Sequence, residues 1–123
     1  MQKKISIAID AMGGDDSPNK TIRGVKLFLE KNNSVDDYVL HLFGKKKIIE
    51  TKLNELKINN KNINIIDSDS VVSDNETPLT AIKNSKNTSM WNSIQYQLDG
   101  KADISLSAGN TGVLLVVSRM ILK

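Results

Sequence analysis

Along nearly the whole chain, stretches in which apolar and polar residues alternate give way to stretches in which apolar residues recur every three or four positions. Ile5, Ile7 and Ile9 are spaced by Ser6 and Ala8 and run into AMGGDDSP, the pattern of a short β-branched strand ending in a long turn. Ser17 before Pro18 predicts an N-cap ahead of a first-turn proline. Ile22, Val25 and Leu29, with Leu27 and Phe28, then give a helical stripe through about Lys31, closed by NNSVDD.

The alternation repeats. YVLHLFG reads as a strand, KKKIIETKLNELKI as a helix with Ile48, Ile49, Leu53 and Leu56 on one side, and NINIID as a third strand. After the loop SDSVVSDNE, Thr77 and Pro78 repeat the cap-plus-proline start. A helical segment carrying Ala81, Ile82, Met90, Ile94 and Leu98 runs on to Asp99 and Gly100, with a break expected near Asn84 to Thr88. ADISLSAG supplies a fourth strand and TGVLLVVSRMILK a fourth helix.

Strands separated by helices pair in parallel through right-handed crossovers, so residues 1–123 are expected to form a single α/β domain with helices on both faces of a mostly parallel sheet. The last helix is apolar nearly all round and reaches Lys123 without a glycine cap. Such a helix expects burial on several sides, either under a second subunit or under the remainder of a larger protein of which this chain is the first part.

Composition narrows the function classes. The chain is 39% hydrophobic and 25% charged and carries no cysteine, which excludes disulfides, thiolate metal sites and a cysteine nucleophile. All of its 17 basic residues except Arg23 and Arg119 are lysine. The net charge of +3 is spread along the chain with only 4% aromatic residues, so the clustered basic and stacking pattern of a nucleic-acid binder is lacking. MQKKISIAID lacks the apolar core of a signal peptide, and the run Val113 to Val117 is far short of the about 20 residues of a membrane span. The chain is therefore read as neither exported nor integral to a membrane, and its lack of cysteine is compatible with a reducing cytoplasm.

In a parallel α/β sheet the strand-to-helix turns share one edge, where helix N-termini and glycine backbones can meet a ligand. SAGNTG offers Gly109 and Gly112 for close backbone approach, Asn110 and Thr111 as polar side chains, and free N–H donors at a helix start. This predicts an anion site, most naturally for phosphate; the alternative is a tight turn at Gly109 with Asn110 or Thr111 as a simple cap. AMGGDD has the same logic, with Gly13 and Gly14 giving backbone access and Asp10 ending its strand. Asp10, Asp15 and Asp16 lack a His or further acid to complete an oxygen-ligand set, so no metal is expected. Lys83 and Lys86 are either solvated surface or a cation for a phosphate substrate. His41, flanked by Leu40 and Leu42 within a strand, reads as structural.

IAIDAMGGD at 7–15 with Pro18, then Pro78, Ala81, Lys86, Ser89 and Met90, then SAGNTG at 107–112, resemble the phosphate acyltransferase (PlsX) family of bacterial phospholipid synthesis. The order and spacing fit along the entire chain. DAMGGD and SAGNTG together are specific, whereas either alone is only suggestive. Family members usually show an Arg, then Lys-Lys-Asp-Ser-Ser before the Met; this chain reads Lys83, Asn84, Ser85, Lys86, Asn87, Thr88, Ser89, without the arginine fork, one lysine and the acid.

The resemblance implies the N-terminal part of a longer enzyme with a three-layer α/β/α sandwich similar to phosphotransacetylases and isopropylmalate dehydrogenases. It further implies a cytosolic homodimer, peripherally membrane-associated, that moves a long-chain acyl group from acyl carrier protein to inorganic phosphate and needs no cofactor. On that basis Gly109 to Gly112 are expected at the phosphate or thioester oxygen and Lys86 at phosphate charge, with Asn110 and Thr111 beside it as catalytic candidates. Asp10, Gly13, Gly14, Ser89, Gly109 and Gly112 are expected to form the substrate-binding turns, with Asp10 orienting the first. The rival expectation is a noncatalytic anion-binding or dimerisation fragment of the same fold.

Overall fold

The computed structural model describes residues 4–32, 37–58 and 61–123. β-Branched alternation makes β1 (Ile5–Asp10), and the apolar segment YVLHLFG makes β2 (Tyr38–Gly44). β3 (Ile63–Asp67) and β4 (Ile104–Ser107) complete a four-stranded sheet in the order β3-β2-β1-β4, and every pairing is parallel. Between the strands run α1 (Asn19–Lys31), α2 (Lys46–Glu55), α3 (Pro78–Asn84) and α4 (Ser89–Leu98), and α5 (Thr111–Leu122) follows β4. The α/β class expected from the alternation is the observed one.

Strand alternation sorts the sheet into two faces. Leu40 and Leu42 of β2, with Ile7 and Ile9 of β1, face Ile22 and Val25 of α1 and Ile49 and Leu53 of α2 in one core cluster. On the opposite face Ala8 and Phe43 meet Tyr96 of α4, and α4 in turn packs with α3 and α5 through Ala81, Met90, Ile94, Val113 and Val117. The molecule thus has helices on both sides of its sheet. Burying side chains of this size stabilises a fold by about 1.5–3 kcal/mol each, which is what sets the hydrophobic period in the sequence.

Helix starts show which local signals governed. Thr77 caps α3 by accepting from the Thr80 N–H at 3.2 Å, while the Thr80 hydroxyl accepts from the Thr77 N–H at 3.0 Å. The expected break in the third helix falls at Ser85–Thr88, where Thr88 accepts from the Trp91 N–H and begins α4. Ser17 does not cap α1. The helix starts at Asn19 after Pro18, and the Ser17 hydroxyl instead donates to the carbonyls of Gly13 and Gly14, closing the preceding turn. Most of NNSVDD, the stretch expected to end the first helix, lies outside the described residues.

Of the last helix, expected to be buried on several sides by a second subunit or further chain, this chain itself covers one. Val113, Val117 and Ile121, spaced by four, are buried, but Leu115 is 71% exposed. Among the described residues β4 pairs with β1 alone, and Ile104 and Leu106 on it stay about half exposed, because α1 and α2 cover the other three strands on that face.

Candidate functional site

The chain leaves β1 toward β2 and β3 on one flank and returns to β4 on the other. α1, following β1, packs on one face, and α5, following β4, packs on the opposite one. Where adjacent parallel strands send their connections to opposite faces, a crevice opens at the carboxyl ends, and open α/β sheets bind ligands there. The two glycine turns singled out in the sequence flank this crevice.

At its base lies Asp10, only 2% exposed. Sharing a face with Ala8, its carboxylate points toward α4, where Oδ1 accepts from the Ser89 hydroxyl at 2.6 Å and from the Met12 N–H at 3.2 Å. Oδ2 accepts from the Ser107 hydroxyl at 2.8 Å, and Ser107 Oγ accepts from the Gly109 N–H at 3.1 Å. Every group facing Asp10 offers it a hydrogen, which is the arrangement a buried carboxylate needs in place of water.

The glycines above it are close-packing devices. A Cβ on Gly13 would lie 2.6 Å from Asp10 Oδ2 and 2.9 Å from the Gly109 nitrogen. Gly14 has φ +90°, and a Cβ there would lie 2.9 Å from the Ala108 carbonyl oxygen. The two turns therefore lie backbone against backbone, so at Gly13 and Gly14 the missing side chain makes room for the neighbouring turn. Gly109, against Met90 and Gly13, shares that contact.

Donors free for a ligand lie one step farther along. Asn110 is the N-cap of α5, its Oδ1 accepting from the Val113 N–H at 3.2 Å. Its Nδ2 donates to the Glu76 carbonyl at 2.7 Å, and more weakly to those of Ser73 and Asp74 at 3.3 and 3.4 Å. Both ends of this amide are thus used in tying the 73–76 loop to the helix start. Thr111 is exposed and Gly112 lies beneath Pro78; their N–H groups have no intrahelical acceptor and sit at the positive end of the α5 dipole.

The structure thus gathers Asp10, Gly13, Ser89 and Gly109 into one cluster and sets Gly14, Asn110, Thr111 and Gly112 along its rim. Lys86 is exposed in the turn between α3 and α4, three residues before Ser89, and Lys83 is exposed in the last turn of α3. No hydrogen bond or ion pair fixes the Lys86 ammonium among the described residues. Sequence reasoning missed Ser107, although ISLS carries the signal: its serines alternate with Ile104 and Leu106 and so fall on the face of Ala8 and Asp10.

His41 is remote from the crevice. Asn64 Nδ2 donates to its Nδ1 at 3.1 Å, which leaves the proton on Nε2 to be donated to Ser6 Oγ at 2.9 Å. Its ring lies 4.8 Å from that of Tyr96, and burial pushes its pKa below the ordinary 6.5. Both ring nitrogens are committed to structure.

Among the described residues no cluster of three or more His, Asp or Glu could hold a metal, and no helix is long and apolar enough to cross a membrane. Beside the crevice, an apolar groove of about 380 Å³ runs between α1 and the β1/β4 strands, lined by Ile7, Ile9, Phe28 and Leu106 and reaching Asp10 and Ala108.

Comparison with known proteins places these features in a family. The pattern of the fatty acid synthesis protein family matches residues 5–123. A phosphate acyltransferase from Pelagibacter ubique is 42% identical over 123 residues, all of this chain and 35% of that protein. Phosphate acyltransferases from Roseobacter denitrificans and Vibrio campbellii are 36% and 34% identical over 98% of the chain, covering 33% and 35% of their own lengths. The chain spans about a third of the length of the curated relatives it matches. With both glycine turns and every described strand and helix inside the matched range, the chain belongs to the fatty acid synthesis protein family.

Proposed function

We propose that this chain supplies the phosphate-binding crevice of an acyltransferase that moves a fatty acyl group from acyl carrier protein to inorganic phosphate, giving acyl phosphate for phospholipid synthesis. The observation that carries the reading is the start of α5 at the β1/β4 crevice, where the Thr111 and Gly112 amides await an anion beside two turns locked together. A thioester is already activated, so the reaction asks for positioning and for oxyanion stabilisation more than for a protein nucleophile.

In the step itself a phosphate oxygen attacks the acyl carbon, forming the C–O bond. The tetrahedral oxyanion then collapses, breaking the C–S bond, and the carrier's thiolate leaves and takes up a proton. Thr111 and Gly112 hold the phosphate oxygens through their amides, and Lys86 adds positive charge from the neighbouring turn. Asn110 acts by fixing the helix start, and Ser89 by keeping Asp10 in place. The apolar groove beside the crevice supports an acyl substrate, since its lining of Ile9 and Leu106 suits the first methylenes beyond a thioester held at Ala108. On the ground of the family resemblance, the reading includes a cytoplasmic homodimer in peripheral contact with the membrane.

The test combines long-chain acyl carrier protein, labelled phosphate and purified protein, both as this chain and as the longer Pelagibacter ubique relative. Acyl phosphate from the relative, together with saturable phosphate shifts at the Thr111 and Gly112 amides of this chain, supports the proposal. A folded chain whose amides ignore phosphate overturns it. A second reading, a noncatalytic anion-binding or dimerisation piece, draws on the half-exposed Ile104 and Leu106 of β4 and the exposed Leu115 of α5. A concentration-dependent dimer that binds phosphate without turnover favours that reading.

A further inference from the structure

Two strand-to-helix connections and the start of α4 meet on one buried carboxylate. Asp10 belongs to β1, Ser89 opens α4 and Ser107 ends β4, and these hydroxyls approach Asp10 at 2.6 and 2.8 Å from sites 79 and 97 residues away in the chain. The Met12 N–H adds a donor from the first turn, and Ser107 relays the contact to the Gly109 N–H. Ser89 is fully buried and Asp10 nearly so, so water does not stand in for either partner. Gly13 lies over the same atoms, its Cβ position 2.6 Å from Asp10 Oδ2 and 2.9 Å from Ser107 Oγ.

We propose that Asp10 is a positioning residue that acts through its hydrogen bonds and locks the three turns into one rigid unit, so that the donors at the start of α5 are already set before an anion arrives. The ligand half of this inference rests on the phosphate reading above; the coupling of the turns does not. Hydrogen bonds that converge on one buried acceptor reinforce one another, and their geometry fixes both hydroxyl rotors. Replacing the carboxylate by an amide reverses one bond: the Nδ2 of an asparagine faces Ser107 Oγ as a donor, and the serine proton must turn away.

The experiment uses amide hydrogen exchange and phosphate titration of the isotopically labelled chain, with Asp10→Asn, Asp10→Ala, Ser89→Ala and Ser107→Ala variants. Ser89→Ala, which alters only α4, is expected to speed exchange at the Gly109 amide of the β4 turn by about tenfold. In the Asp10→Ala background the same change is expected to do nothing further, because the path between the turns is already cut. Phosphate affinity falls in parallel in Asp10→Asn, by about tenfold, if the turns preset the α5 donors. An unchanged Gly109 amide in folded Ser89→Ala, or fully additive effects of Ser89→Ala and Asp10→Ala, overturns the positioning role. Should Asp10→Ala not fold, the Ser89→Ala and Ser107→Ala pair decides by the same additivity criterion. Absence of phosphate binding by the unaltered chain defeats the phosphate reading alone, since exchange at Gly109 still decides the coupling.

Discussion

Substituting Gly13 by alanine isolates the contact on which the crevice is built. The added methyl would sit 2.6 Å from Asp10 Oδ2, 2.9 Å from Ser107 Oγ and 2.9 Å from the Gly109 nitrogen. The first two belong to hydrogen-bonded side chains in the cluster and the third is backbone, so no flexible chain end can yield. Relief to ordinary contact requires the two turns to separate, which adds overpacking strain of about 1–3 kcal/mol to the weakening of hydrogen bonds around Asp10, about 1 kcal/mol each. We expect a destabilisation of about 3 kcal/mol. With an unfolding entropy of about 2.1 cal/mol/K per residue over 123 residues, that is a fall in Tm of about 12 °C. Gly24 is the internal control: it lies within α1, and a Cβ there meets no atom within 4 Å. Its alanine variant is expected to gain about 0.5–1 kcal/mol from helix propensity. Urea and thermal unfolding followed by circular dichroism read both. A Gly13→Ala protein within about 0.5 kcal/mol of the parent, the range of a bland surface change, refutes the claim that the turns lie backbone to backbone.

Other outcomes follow from single contacts. His41 is depressed below its ordinary 6.5, so the unfolded chain takes up the proton first; stability is full above about pH 6.5 and falls as the pH drops below it, until the folded group also protonates. His41→Gln should flatten that part of a stability–pH curve measured by urea unfolding. Thr88→Ala removes both a cap on Trp91 and a bond to the Ser85 carbonyl, at a cost of about 2 kcal/mol, against about 1 kcal/mol for the exposed cap Thr77→Ala. Lys86→Ala, lacking a fixed partner, should leave Tm unchanged and weaken phosphate binding only a few-fold, an effect that vanishes as salt is raised in a titration series.

Much of this architecture is legible in the chain because it is local. The isoleucines of β1, the apolar spacing of α2 and the Thr77–Pro78 start each act within a few residues, and each forms the expected element. Ser17 shows where a local rule competes with another: Ser-Pro before an apolar stripe reads as a cap, yet the Gly13 and Gly14 carbonyls lie within reach of the same hydroxyl and take it. The glycine turns were recognisable as special, but Gly13 owes its identity to Gly109, an acquaintance made only by strand order. The face of Ser107 could be read from ISLS, but its bond to Asp10 could not, since that partner lies 97 residues away. Asn110 was visible as a polar group beside a helix start, whereas its hold on the Glu76 carbonyl required the fold.

The strand order also fixes when the crevice can exist. A ribosome delivers β1, α1, β2, α2 and β3 first, and these share a core of Ile22, Leu40, Leu42, Ile49 and Leu53 that owes nothing to β4. Asp10 must wait for Ser89 and then for Ser107, made 79 and 97 residues after it, so its set of hydrogen bonds closes only once both have emerged. The β1–β3 core is therefore complete before the crevice is, and the crevice is assembled upon it.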